Sequence, residues 1–110
     1  MFQVEKINDV AVIKLSYRID VQAALELEKQ VNEIINSGQN KIVFDFEKVT
    51  HLSSSGIRVL ISALRRTNAN KGGVKLTHVS ENIRKVLKLV ELENLFTYYD
   101  SIENAVKAFD

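Results

Sequence analysis

The 110-residue chain contains no cysteine and no proline. Without cysteine there can be no disulfide, no thiolate zinc site and no cysteine nucleophile, a state that suits a reducing cytoplasm. Without proline, no proline-rich segment is on offer for recognition. Neither sign of charge dominates: 15 Lys and Arg against 14 Asp and Glu leave +1, which argues against a polyanion partner and against a disordered charged tail. Only two histidines are present, His51 and His78, too far apart for metal-ligand spacing. No apolar run approaches the roughly 20 residues that cross a bilayer. Residues 1–6 alternate charged and apolar side chains instead of forming a signal-peptide core. These absences lead to the expectation of one cytoplasmic domain over residues 1–110, large enough for a single core and making no membrane contact.

What is there is well organised. Phe2 to Ile7 and Val10 to Leu15 read as two strands joined by Asn8-Asp9, residues that tolerate the left-handed backbone of a tight hairpin. Asp20 caps a predicted helix to about Asn36, ended by Ser37-Gly38, with Ala24, Leu27, Val31, Ile34 and Ile35 at helical spacing. Lys41 to Phe46 is a nearly continuous apolar run, as in a strand buried on both faces. Ile57, Leu60, Ile61 and Leu64 mark a second helix, Val74 to Val79 another strand, and Ser80 the cap of a third helix carrying Ile83, Val86, Leu87 and Val90. Phe96 to Tyr99 is a short strand, and Ser101 caps a last helix with Ile102, Ala105, Val106 and Phe109. The order ββαβαβαβα predicts an α/β fold: an antiparallel N-terminal hairpin, then parallel strands joined by crossover helices.

The most informative stretch runs from Asp45 to Ile57. It places three consecutive hydroxyls, Ser53, Ser54 and Ser55, between a buried strand and the glycine that opens the second helix. A helix start offers unpaired amides and the positive end of the macrodipole, so a phosphate there would be locally stabilised while projecting new negative charge. The simpler alternative is that Ser53 or Ser54 is an N-cap.

Other chemistries fit poorly. Asp45, His51 and the serines supply the residue types of a hydrolase triad, but no nucleophile elbow is present. Gly72-Gly73-Val74-Lys75 lacks the rest of a phosphate-binding loop and reads as a turn. Arg58, Ser62 and Arg65 share the polar face of the second helix. With a near-neutral chain and no DNA-reading motif, that face is better suited to a protein partner than to nucleic acid.

These motifs together resemble the anti-sigma factor antagonist branch of the STAS domains, over nearly the whole chain. Tyr17-Arg18-Ile19-Asp20 looks like the family's G-x-L-D turn, Asp45-Phe46-Glu47-Lys48-Val49-Thr50 like its D-L-S-x-V strand end, and Leu52-Ser53-Ser54-Ser55-Gly56-Ile57 like its phosphorylation motif, usually D-S-S-G-L. The resemblance implies that Ser54 is the phosphoacceptor, that Asp20 and Asp45 are acidic positions beside it, and that Gly56 is the helix-opening glycine. Ser53 stands where the family commonly has aspartate, which makes it a competing acceptor, and Tyr17 stands where it has glycine.

The implied mechanism is partner switching. The unphosphorylated domain binds an anti-sigma factor that is also a serine kinase, releasing a sigma factor. Phosphorylation weakens binding, and a serine phosphatase restores it. The expected partner surface comprises Asp20, Asp45, Ser54, Ser55, Gly56, Arg58, Ser62 and Arg65. The domain would be a substrate and ligand, not an enzyme, with no cofactor and no metal. A scaffold STAS module of a stress-sensing or lipid-transport complex, an enzyme or nucleotide-binding domain, and a DNA-binding domain are the alternatives.

Overall fold

The computed structural model describes residues 2–110. In chain order its elements are β1 (Gln3–Ile7), β2 (Val10–Lys14), β3 (Arg18–Ile19), α1 (Val21–Asn36), β4 (Lys41–Asp45) and β5 (His51–Leu52). There follow α2 (Ser54–Ala69), β6 (Gly73–Thr77), α3 (Glu81–Leu89), a 3-10 turn (Glu93–Leu95), β7 (Thr97–Tyr99) and α4 (Ile102–Lys107). The main sheet has the order β1-β2-β4-β6-β7. Its β1-β2 pair is antiparallel and the remaining pairs are parallel, which is the mixed sheet expected. The hairpin turns at Asn8, whose φ of +57° is left-handed.

Each helix starts on a predicted cap. Asp20, Ser53, Ser80 and Ser101 accept hydrogen bonds from the amides of Ala23, Gly56, Ile83 and Asn104, respectively. Such caps satisfy amides that have no partner within the helix. Right-handed crossovers place α1, α2 and α3 on one face of the sheet. There Leu27, Val31, Leu60, Ile83 and Leu87 pack over Ile13, Ile42, Phe44 and Leu76. Alternation along the strands sends Val10, Val12 and Val43 to the opposite face, where Ala105 and Val106 of α4 cover them. Central β4 is buried on both faces, as its apolar run implies. Gly72 allows β6 to enter beside β4, since a Cβ there would lie 1.7 Å from the Asn40 carbonyl oxygen.

Three features differ from expectation. The two-residue strands β3 and β5 form a separate parallel pair. They are too short to carry a period-two signal and exist because tertiary packing aligns them. The third helix stops at Leu89, and the left-handed backbone of Glu91 (φ +61°) turns the chain away, so Val90 is exposed instead of joining the core. Gln30 takes a buried place on α1, its side-chain amide exchanging hydrogen bonds of 2.7 and 2.8 Å with the backbone of Phe2.

Candidate partner-binding and phosphorylation site

The small β3-β5 pair assembles the site. Ile19 pairs with Leu52, and the Ser53 amide donates to the Ile19 carbonyl at 2.9 Å. The residues that follow, Asp20 and Ser53, are the N-caps of α1 and α2, so the two helix starts are held side by side. Upstream, the amides of Thr50 and His51 and the Thr50 hydroxyl all donate to the Tyr17 carbonyl, at 2.8, 3.2 and 3.1 Å. Tyr17 has no left-handed backbone that would call for the family's glycine, and its ring is exposed. The turn thus accommodates tyrosine with ordinary backbone geometry, its ring in solvent.

The three serines separate into distinct environments. Ser53 has extended backbone (φ −78°, ψ 164°), and its Oγ accepts from the Gly56 amide at 3.1 Å. Ser54 is the first helical residue, exposed, and its hydroxyl has no hydrogen-bond partner among the described residues. Ser55 is half-buried at the head of a groove. With the Gly56 amide capped, those of Ser54 and Ser55 are left without an acceptor among the described residues. Gly56 itself is buried: a Cβ there would lie 2.7 Å from Ile19 Cγ2 and 2.9 Å from Leu52 Cδ1. It serves the site by letting α2 approach β3, not through a side-chain contact.

Arg58, Ser62 and Arg65 are exposed, as expected from their shared face, and line that groove between α1 and α2, of about 520 Å³. Its other wall is α1, through Val21, Leu25 and Glu28, which sequence reasoning missed. A signal was present: these three recur at i, i+4 and i+7, a second stripe beside the buried one. Asp20 is exposed at the head of α1, with Oδ1 accepting from the Ala23 amide at 2.9 Å.

Asp45 departs from the expected surface. Its residue is 5% exposed. Oδ1 accepts from the Thr77 hydroxyl at 3.1 Å and the Glu47 amide at 3.3 Å, and lies 2.8 Å from His78 Nδ1. It borders a different cavity, beside Lys14, Tyr17 and Lys48. As the last residue of β4 it faces its neighbour across the sheet, Thr77, and these bonds tie the strand ends together. No local pattern in the sequence could have paired residues 32 and 33 positions apart.

Among the described residues no cluster of three or more His, Cys, Asp or Glu could hold a metal ion, and no helix is long and apolar enough to cross a membrane.

The STAS domain family model matches residues 1–105. The chain belongs to the STAS domain family. Among relatives of this STAS domain, a Thermotoga maritima protein named as a candidate anti-sigma factor antagonist is 26% identical over 108 residues, covering 97% of this chain and 96% of the relative. An anti-sigma-B factor antagonist of Staphylococcus aureus is 23% identical over 91 residues, covering 83% and 84%. A crystal structure of a Thermotoga maritima protein described in the same terms superposes with a TM-score of 0.86 at 26% identity, over 98% of this chain and 93% of that one. The anti-sigma factor antagonist SpoIIAA in its unphosphorylated form shares the fold, with a TM-score of 0.86 at 24% identity over 98% and 95% of the two chains.

Proposed function

We propose that this STAS domain is an anti-sigma factor antagonist switched by phosphorylation at Ser54. The observation that carries the reading is the division of labour between two neighbouring serines. Ser53 is committed to capping α2, which leaves Ser54 exposed with a free hydroxyl at the positive end of the helix. Family membership and the names of the relatives support the same reading, and SpoIIAA has been solved in a phosphorylated form as well.

In this reading the unphosphorylated domain binds an anti-sigma factor with serine kinase activity in the cytoplasm. A serine phosphatase resets the phosphorylated form, and the domain itself catalyses nothing. The partner meets Asp20, Ser54, Ser55, Arg58, Ser62 and Arg65, with Gly56 setting the approach of the helix. Asp45 supports the strand ends from inside.

A phosphate on Ser54 adds about −1.5 to −2 charges at neutral pH. One turn along α2, Arg58 lies within reach of it, because residues four apart on a helix are neighbours. The phosphate would draw that arginine away from the partner and repel any partner carboxylate. A like charge at about 4 Å costs roughly 4 kcal/mol at an effective dielectric of 20. Each 1.4 kcal/mol or so is tenfold in affinity, so two decades of weakening need no change of fold.

The test is a paired pull-down from cells of the source organism, with wild type and Ser54→Asp as baits, and mapping of the phosphate by mass spectrometry. Capture of a kinase-type anti-sigma factor by wild type alone, with phosphate on Ser54, is expected. Capture of one non-kinase partner equally by both baits, or phosphate confined to Ser53, would refute the switch.

A further inference from the structure

The groove between α1 and α2 is more than the polar face of one helix. Val21 and Leu25 stand 61% and 56% exposed on its α1 wall, one helical turn apart. Adjacent on one groove wall and faced by polar residues, they form an apolar patch of the kind that marks an interaction site, unlike a singly exposed apolar residue. On the opposite wall Arg58 and Arg65 are exposed and, among the described residues, have no hydrogen-bond or ion-pair partner. They lie seven residues apart, about 10 Å along the axis. Among the described residues the groove's single carboxylate is Glu28, against Arg58, Arg65 and Arg66, so its charge is positive overall.

We propose that this groove is the docking site for an acidic amphipathic helix of the partner protein, laid along α1 and α2. An apolar stripe on that helix covers Val21 and Leu25, and carboxylates two turns apart meet Arg58 and Arg65. Charge complementarity selects this occupant. Two free guanidiniums beside apolar surface call for carboxylates on an apolar scaffold, in the manner of helices that bind grooves through residues at i, i+4 and i+7. Duplex DNA would leave Val21 and Leu25 uncovered. A second copy of this chain would set two positive grooves against each other, each offering Glu28 against Arg58, Arg65 and Arg66. The proposal deepens the partner-binding reading by naming the kind of segment bound, and it does not depend on phosphorylation.

The probe is a labelled synthetic helical peptide with leucines one turn apart and glutamates two turns apart, compared with the same peptide carrying lysines for glutamates. Binding is followed by fluorescence anisotropy and located by amide chemical-shift perturbation on the intact chain. The acidic peptide is expected to shift residues around Leu25, Arg58 and Ser62 and to bind about tenfold or more tightly than its lysine counterpart, as two partly desolvated ion pairs suggest. Leu25→Glu should abolish binding. The exposed pair Arg58→Glu and Arg65→Glu should invert the preference between peptides, and circular dichroism should show both variants folded. Equal binding of the two peptides, shifts outside the groove, self-association of the free chain through it, or a response to duplex DNA alone would each overturn the assignment. A Ser54→Asp variant separates the two readings. Undiminished docking there would uphold the groove and refute the account in which negative charge at position 54 draws Arg58 away, whereas a wild type that ignores the acidic peptide refutes the groove alone.

Discussion

Replacing Ser53 and Ser54 by alanine, one at a time, should separate structure from signalling. Ser53 Oγ holds the Gly56 amide at 3.1 Å from an extended backbone, the geometry of a functional N-cap. Loss of such a cap costs about 0.5–2 kcal/mol, centred near 1. Gly56 is buried and its amide has no other acceptor among the described residues, which favours the upper half of that range. For a domain near 100 residues this lowers Tm by about 4 °C or more. Ser54 has no hydrogen bond to lose and is exposed at the first helical position, so Ser54→Ala should change stability by less than about 0.5 kcal/mol. The assay is urea unfolding monitored by far-ultraviolet circular dichroism, combined with phosphate incorporation by the cognate kinase. Ser53→Ala should be less stable yet still phosphorylated, and Ser54→Ala stable yet inert. If Ser54→Ala proved the destabilised variant, or Ser53→Ala the one that lost phosphate, the assignment of cap and acceptor would be reversed.

Gly56→Ala should destabilise by about 1–3 kcal/mol despite alanine's better helix propensity, because its methyl group would press on buried Ile19 and Leu52. Urea midpoints would show it, and an unchanged or higher midpoint would mean that α2 can shift freely. Asp45→Ala should cost about 1–3 kcal/mol or more by stripping the buried Thr77 hydroxyl and His78 of their acceptor. Partner binding by the folded fraction should survive, and its loss would return Asp45 to the binding surface. Partial burial raises the Tyr98 phenol above its ordinary value, while its hydroxyl donates to the Glu93 carbonyl at 2.7 Å. The neutral form is favoured in the folded state, so this contribution is complete below about pH 10 and is lost as pH rises through the folded pKa. Tyr98→Phe should flatten that alkaline decline in an unfolding series, and identical slopes for the two proteins would refute the origin. At the acid end, the hydrogen bond from Lys41 lowers the Asp9 pKa, so its contribution is present above the ordinary carboxylate value and fades as pH falls through the lowered one. Lys41→Met should remove that dependence from an acid titration.

Much of this protein was legible in the chain because the signals are local. The caps Asp20, Ser80 and Ser101, the hairpin at Asn8 and the doubly buried run of β4 each depend on residues within one turn or one strand. The serine run could be read as a helix start for the same reason, but not which serine caps it. That choice follows from the β3-β5 pair, which anchors the Ser53 amide to Ile19 and so sets where α2 begins.

Relations between distant segments were decided by tertiary packing alone. Val21, Leu25 and Glu28 became one wall of a groove only when α1 settled beside α2 on the same face of the sheet. Asp45 left the expected surface because the parallel register of β4 and β6 sets it opposite Thr77, with His78 beside it. Hydrophobic period and capping chemistry are properties of neighbours along the chain. The register of one strand on another, and the groove between two helices, arise only when segments some thirty residues apart share one core.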